Sequence, residues 1–329
     1  MHMADALVSP LVAGVMGIAS GVLLVVAAKK VRNNPVENVL PLMGVMGAFI
    51  FAAQMINFSI PGTGSSGHIV GGVLLSAVLG PWAAFITLAS VIVIQCFLFA
   101  DGGLMALGCN IFNMAACTCL IAYPLVFRFL LKYPASLGKI AGVSLLTCVI
   151  GLELGAVSVT AETELSGITA LPMAQFLLFM LPIHLLIGVG EGLATASVVC
   201  FIQKYKPGLL LQMRQIEPAS RKKTIGFRKA VLVFALLALF LGISFTWIAS
   251  SDPDGLEWSI SNVTGHTELP VASSARAYAV TRHIQESTAL MPDYNTGFAG
   301  IVGGVLVVLV TWGVAGLLQY KKKIMPKNE

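Results

Sequence analysis

The sequence predicts an all-α integral membrane protein of about nine transmembrane helices, a seven-helix bundle followed by two more. Three observations predict it. Hydrophobic residues make up 57% of the 329 and charged ones only 11%, under half the charged share of an average soluble domain. Mean hydropathy is +0.88. The apolar residues run in blocks near the roughly 20 residues that a membrane-crossing helix needs. A water-soluble enzyme or nucleic-acid-binding protein cannot hide so much apolar surface, so the net charge of +5 is no nucleic-acid signal.

The candidate spans are residues 7–28, 36–57, 66–79, 81–100, 104–131, 139–160, 174–203, 228–250 and 298–319. The third is short. Gly80-Pro81 separates it from the fourth, because proline opens helices well and interrupts them badly. Lys and Arg stay on the cytoplasmic side, and 18 of the 20 basic residues fall in four clusters. Lys29, Lys30 and Arg32 follow the first span; Arg128, Lys132 and Lys139 surround the turn after the fifth. Eight more precede the eighth span, from Lys204 to Lys229, and Lys321, Lys322, Lys323 and Lys327 close the chain. The first two clusters share a compartment only if an even number of spans lies between them, which the division at Gly80-Pro81 provides. The expected orientation has the N-terminus outside and the C-terminus cytoplasmic, in a multi-pass protein of the cell (inner) membrane.

The chain divides into a domain at 1–205, a basic cytoplasmic linker at 206–227 and a two-helix unit at 228–329 with an outside segment at 251–296. That segment carries six acidic residues against Arg276 and Arg282. It either concentrates cations or is a solvated loop. The start of the chain has no basic stretch leading to a cleavage site, so a removed signal peptide is not expected. The six cysteines lie in apolar stretches with no C-x-x-C pair and read as buried small residues.

Five histidines limit where a transition metal can bind: His2, His68, His184, His266 and His283. His2 has a special position. Its imidazole, its backbone nitrogen and the amine of Met1 can close fused five- and six-membered chelate rings around one ion. A fourth nitrogen would complete the square-planar set favoured by Ni(II) and Cu(II). The alternative is a chance histidine at a frayed terminus. His68 follows the Gly-rich loop Ile60-Pro61-Gly62-Thr63-Gly64-Ser65-Ser66-Gly67, on the same face as Met1, and either supplies that nitrogen or caps a helix end. The loop lacks the Lys-Ser/Thr that grips phosphate, and no ATP site is expected in this chain.

At these residues the chain resembles a known family. The opening Met1-His2, the loop SGHIVGG (66–72), the segment DGGLMALGCNIFNM (101–114) and the helix HLLIGVGEGLAT (184–195) resemble the substrate-binding membrane subunit of nickel/cobalt energy-coupling-factor transporters, the CbiM/NikM family. The segment DPDGLEW (252–258) resembles the PDGLE-type accessory subunit of the same systems, fused here. The resemblance implies that Met1, His2 and His68 bind Ni(II) or Co(II) as transported substrate. It also implies a transmembrane coupling subunit and a pair of ATPase subunits as partners. The family opening continues Ile-Pro-Asp-Gly; here Met3-Ala4-Asp5-Ala6 keeps the acid and loses the proline and glycine.

Other polar residues in apolar surroundings have two readings. Asn57, Asp101, Asn110 and Asn113 either satisfy the outer N–H of the ligating rings or join helices. His184 and Glu191, at i and i+7, suggest an ion or proton path, and Glu153 is a third ionisable group. The competing functions are a proton-driven secondary metal carrier and an intramembrane enzyme. The first lacks a visible inverted repeat and the second lacks any H-E-x-x-H.

Overall fold

The computed structural model describes residues 1–33, 39–132, 135–214, 227–271, 276–294 and 298–324. Of the predicted linker, residues 215–226 lie outside the described part. After a short turn at Asp5–Leu7, the chain forms α1 (Pro10–Asn33), α2 (Val39–Gln54), a hairpin of β1 (Phe58–Ile60) and β2 (Ser65–Gly67), α3 (Gly72–Leu79) and α4 (Pro81–Phe99). Then come α5 (Leu107–Leu130), α6 (Leu137–Ser166), α7 (Met173–Tyr205), α8 (Phe227–Ile248), α9 (Gly255–Thr264), α10 (Arg276–Thr288) and α11 (Ala299–Ile324). The helical class is as expected, in a multi-pass arrangement. Among the described residues five helices are long and apolar enough to cross a membrane: α1, α4, α5, α6 and α7.

The predicted third span differs from expectation. Residues 66–79 are not one helix: β2 and an extended stretch occupy the first part, and Gly71, at φ 80°, admits the chain to α3. Eight helical residues rise about 12 Å, well short of the ~30 Å hydrocarbon core. Every residue of α3 is buried in protein, where a partial helix is tolerated because its ends meet polar partners. The break exposes backbone N–H groups of Val70 and Gly71 to a side chain of α7, as described below.

Small residues set the helix crossings. Gly108 of α5 lies against the backbone of Gly17 in α1, where an added Cβ would approach Gly17 Cα to 2.5 Å, and Ser20 Oγ donates to Gly108 O at 2.7 Å. Gly242 and Gly300 bring α8 and α11 into backbone contact in the same way. Both of these C-terminal helices pack on α2, so the two-helix unit lies against the first bundle. The outward side of α1 presents Leu11, Val15, Ile18, Val22 and Val25, a face suited to lipid.

The acidic segment 251–296 is not a detached solvated loop. Ser66 N donates to Pro253 O at 2.8 Å, and Asp254 pairs beside the hairpin as an added parallel bridge. Trp258 Nε1 donates to Thr63 O at 2.9 Å. Gln285 Nε2 donates to Gly102 O at 2.7 Å, and Tyr278 Oη to Val8 O at 2.8 Å. The segment thus lies across the N-terminal residues and the His68 loop together.

Candidate metal centre

The N-terminal residues enter the protein instead of fraying from it. Met3 is fully buried. Its N–H donates to Asn110 Oδ1 at 2.7 Å, and Asn110 Nδ2 donates back to Met3 O at 3.1 Å. Gly103 N reaches the same carbonyl at 2.8 Å. Asp5 Oδ1 accepts from Met105 N and Ala106 N at 2.9 and 3.1 Å. A side chain at Gly103 would collide with Asp5. The segment 101–110 therefore forms the socket, and Gly102 and Gly103 are the room for the plug. The retained Asp5 does the anchoring although the family's proline and glycine are missing.

These anchors set Met1 and His2 beside His68. The Met1 amine lies 3.4 Å from His68 Nε2. The rings of His2 and His68 stack with centroids 5.5 Å apart and planes 20° from parallel. His68 Nδ1 lies 3.2 Å from Ile69 O. A carbonyl only accepts, so Nδ1 carries the proton and Nε2 keeps its lone pair facing the amine. Burial, then the Met1 ammonium and His2, hold the His68 ring well below the ordinary imidazole range. Burial likewise lowers the His2 ring, against the opposing pull of Asp101. The His68 imidazole is therefore neutral, the form that binds metal.

His2 is held from both sides. Its Nδ1 is 3.1 Å from Asp101 Oδ1 and its Nε2 is 3.3 Å from Gln95 Oε1. Nδ1 is the nitrogen that would close the six-membered ring with the His2 amide, so Asp101 occupies it when no ion is bound. Tyr294 Oη donates to the other oxygen of Asp101 at 2.6 Å. Gln95 Nε2 donates to Gln54 Oε1 at 2.9 Å, and Gln54 Nε2 to Val70 O at 2.9 Å. This chain fixes the Gln95 amide with its oxygen toward His2 and ties that ring to the backbone two residues after His68. Gln95→Leu is expected to lower Ni(II) affinity by roughly 10–100-fold, the usual result of losing the partner of a ligand's outer N–H. Titration of the purified variant checks it; unchanged affinity would separate Gln95 from the site.

The remaining polar residues sort plainly. Asn110 binds Met3. Asn113 Nδ2 donates to Glu162 Oε2 at 2.7 Å and contacts Met3 Sδ at 3.5 Å. Asn57 stands at the hairpin, where its carbonyl accepts from Ser250 N at 2.8 Å. His184 and Glu191 are not bonded to each other. Both oxygens of Glu191 accept backbone N–H groups, from Val70 at 2.7 Å and Gly71 at 2.9 Å. His266 and His283 are exposed.

One residue at the centre escaped sequence reasoning. Asp254 Oδ2 receives the Met1 amine at 2.7 Å. Its other oxygen caps α9, accepting from Leu256 N and Glu257 N at 2.8 Å each, while Glu257 Oε2 returns to Asp254 N at 3.0 Å. Burial alone would raise this carboxyl, but the ammonium and these hydrogen bonds outweigh burial and hold it far below the carboxylate range. The signal available was Asp-x-x-Glu before an apolar turn, a capping box; nothing local linked it to Met1.

Among the described residues no group of three His, Cys, Asp or Glu side chains is arranged to hold a metal. An ion at this place must therefore draw on terminal and backbone nitrogens as well as rings.

Residues 2–209 match the family model described as the cobalt uptake substrate-specific transmembrane region, and residues 228–320 match the PDGLE domain. A relative from Archaeoglobus fulgidus, carried under the name fused nickel transport protein NikMN, is 32% identical over 94% of this chain and 96% of its own length. A metal transport protein of Haloquadratum walsbyi is 35% identical over 64% of this chain and 93% of its own. The crystal structure of a truncated transition metal transporter is similar with a TM-score of 0.55 at 33% identity, covering 62% of this chain and 99% of the other.

Proposed function

From the premise that this chain belongs to the cobalt-uptake substrate-specific transmembrane (CbiM) family and carries a PDGLE domain after it, we propose that it captures Ni(II) or Co(II) outside the membrane for ATP-driven import by an energy-coupling-factor transporter. Residues 1–205 hold the ion, 206–227 link, and 228–329 brace the site from outside. A transmembrane coupling subunit and a pair of ATPases supply the energy, and the chain itself is not an enzyme. The N-terminus and the 251–296 segment face outward, on the strength of the basic clusters.

The observation that carries this reading is the meeting of the Met1 amine, His2 and the Nε2 lone pair of His68. The ion takes the amine, the His2 amide, His2 Nδ1 and His68 Nε2. Binding requires Met1 to leave Asp254 as a neutral amine and His2 Nδ1 to leave Asp101. The outer N–H of His2 then donates to Gln95 and that of His68 to Ile69. A set made only of nitrogens rejects Mg(II) and Ca(II), which prefer oxygen. A planar chelate also disfavours tetrahedral Zn(II). The same planarity favours nickel over cobalt.

The pH dependence follows from the protons. The His68 ring brings none, because burial keeps it neutral. The ammonium and the His2 amide release at least two per ion, so affinity rises with pH, by roughly a hundredfold or more per unit while both are released. Calorimetry in buffers of different ionisation enthalpy counts them; release of none would remove the amide from the ligand set.

Uptake decides between the two transport mechanisms. Vesicles holding this chain with its coupling and ATPase subunits are expected to accumulate Ni(II) on ATP. Vesicles holding this chain alone are expected to accumulate none on a proton gradient; uptake there would favour a secondary carrier.

A further inference from the structure

One buried nitrogen beside the capture site has no partner. His184 of α7 is 1% exposed. Its Nδ1 lies 2.8 Å from Met180 O, a carbonyl of the preceding turn that can only accept. The ring proton therefore sits on Nδ1 and the lone pair on Nε2. That Nε2 makes no hydrogen bond, an unusual condition for a buried polar atom. The ring lines a small cavity shared with Met1, His68, Ile187 and Asp254. Gly255 is part of the same wall, and an added Cβ there would come within 3.3 Å of His184 Cε1. His184 is thus packed against the first turn of α9, one residue from Asp254. His2, stacked on His68, is not among the walls of this cavity.

His68 and His184 are prepared alike. Each spends its Nδ1–H on a backbone carbonyl and keeps Nε2 for an acceptor's role. The carboxylate of Asp254 and the Met1 amine stand at the same cavity. Two imidazoles, a carboxylate and an amine form a mixed nitrogen and oxygen set. Such a set suits a borderline divalent ion in tetrahedral or higher coordination, not planar.

We propose that His184, with His68 and Asp254, forms a second binding station for the transported ion, which receives it when His2 lets go. His68 and Met1 belong to both stations, so the ion exchanges ligands one at a time and is never wholly released. Among the described residues His68, His184 and Asp254 are not set as a metal-holding group while the Met1 amine holds Asp254, so the second station forms only after that amine has left the carboxylate. The inference rests on the capture reading above and adds a direction of travel to it, away from His2 and toward α7.

Co(II) titration of the purified full chain tests it, read by affinity and by the hyperfine-shifted ring N–H resonances of bound histidines. His2→Gln is expected to weaken binding but leave residual Co(II) with two such resonances, from His68 and His184. Adding His184→Gln is expected to remove one resonance and lower the residual affinity roughly tenfold or more. Residual binding that ignores His184, or no residual binding in His2→Gln, overturns the second station and leaves the capture site standing. Wild-type affinity in His2→Gln overturns the capture reading and the station together. His184→Asn is run beside His184→Gln, each also as a single variant. The station stands only if a variant that keeps the planar Ni(II) absorption on its own loses the resonance in the His2→Gln background.

Discussion

Replacing His2 with glutamine is expected to lower Ni(II) affinity by on the order of 10²–10⁴-fold, since a ligand held at high effective concentration is lost. The side chain keeps its length and polarity, and Gln95 and Asp101 still have a partner, so the N-terminal plug stays seated. What disappears is the six-membered ring, and with it the reason for the His2 amide to give up its proton. The planar absorption of bound nickel should vanish even at saturating metal. Acetylating the Met1 amine should do the same through the five-membered ring, and it also removes the ammonium that Asp254 holds at 2.7 Å. Lengthening the end by one alanine is a poor test, because Met-Ala-His would supply two amide nitrogens of its own and rebuild a planar set. A His2→Gln or acetylated chain that keeps the absorption and affinity would remove the terminus from the site.

Glu191→Ala has the second largest expected effect, although the residue touches no proposed ligand. Its carboxylate accepts the N–H groups of Val70 and Gly71 from inside the protein. Alanine leaves both donors buried and unpaired, at about 1–3 kcal/mol each. The stretch from His68 to Val70 then keeps only the Gln54 bond to Val70 O beside the hairpin to hold its course. Ni(II) affinity should fall roughly 30-fold or more, as about 2 kcal/mol or more of loop organisation is withdrawn from binding. Glu191→Gln retains one acceptor but turns an amide N–H toward a backbone donor, and an intermediate loss is expected. Titration with planar absorption as readout checks both, and wild-type affinity in Glu191→Ala would mean that His68 is held by the hairpin alone.

The fold was legible where the pattern is local. Apolar blocks marked the helices, Gly80-Pro81 marked the joint between α3 and α4, and basic clusters marked the ends. The proposal of Met1 and His2 as ligands came from the sequence because chelate geometry at a chain end depends on two adjacent residues, and that of His68 from its glycine-rich loop and the family resemblance. The supports were not legible, because they act across the sequence. Asp254 is 253 positions from Met1, and Tyr294 is 193 from Asp101. Gln54 and Gln95 left a clue that went unread: an amide side chain within an apolar helix is costly unless it has a partner. Glu191 was noticed for its charge, but its partners are backbone groups, which no side-chain pattern announces. The short α3 was misjudged as part of a span for the same reason. Its break is stabilised by Glu191 from α7, not by anything in residues 66–79.

The bridge between Met1 and Asp254 has a consequence for biogenesis. A ribosome makes the amino terminus first and residue 254 only after three quarters of the polypeptide has been synthesised. Until then the opening residues lack the Asp254 carboxylate, and the hairpin lacks the bridge from Asp254 to Ser66. The amine of a nascent chain is therefore without its ion-pair partner until the segment around residue 254 has been made.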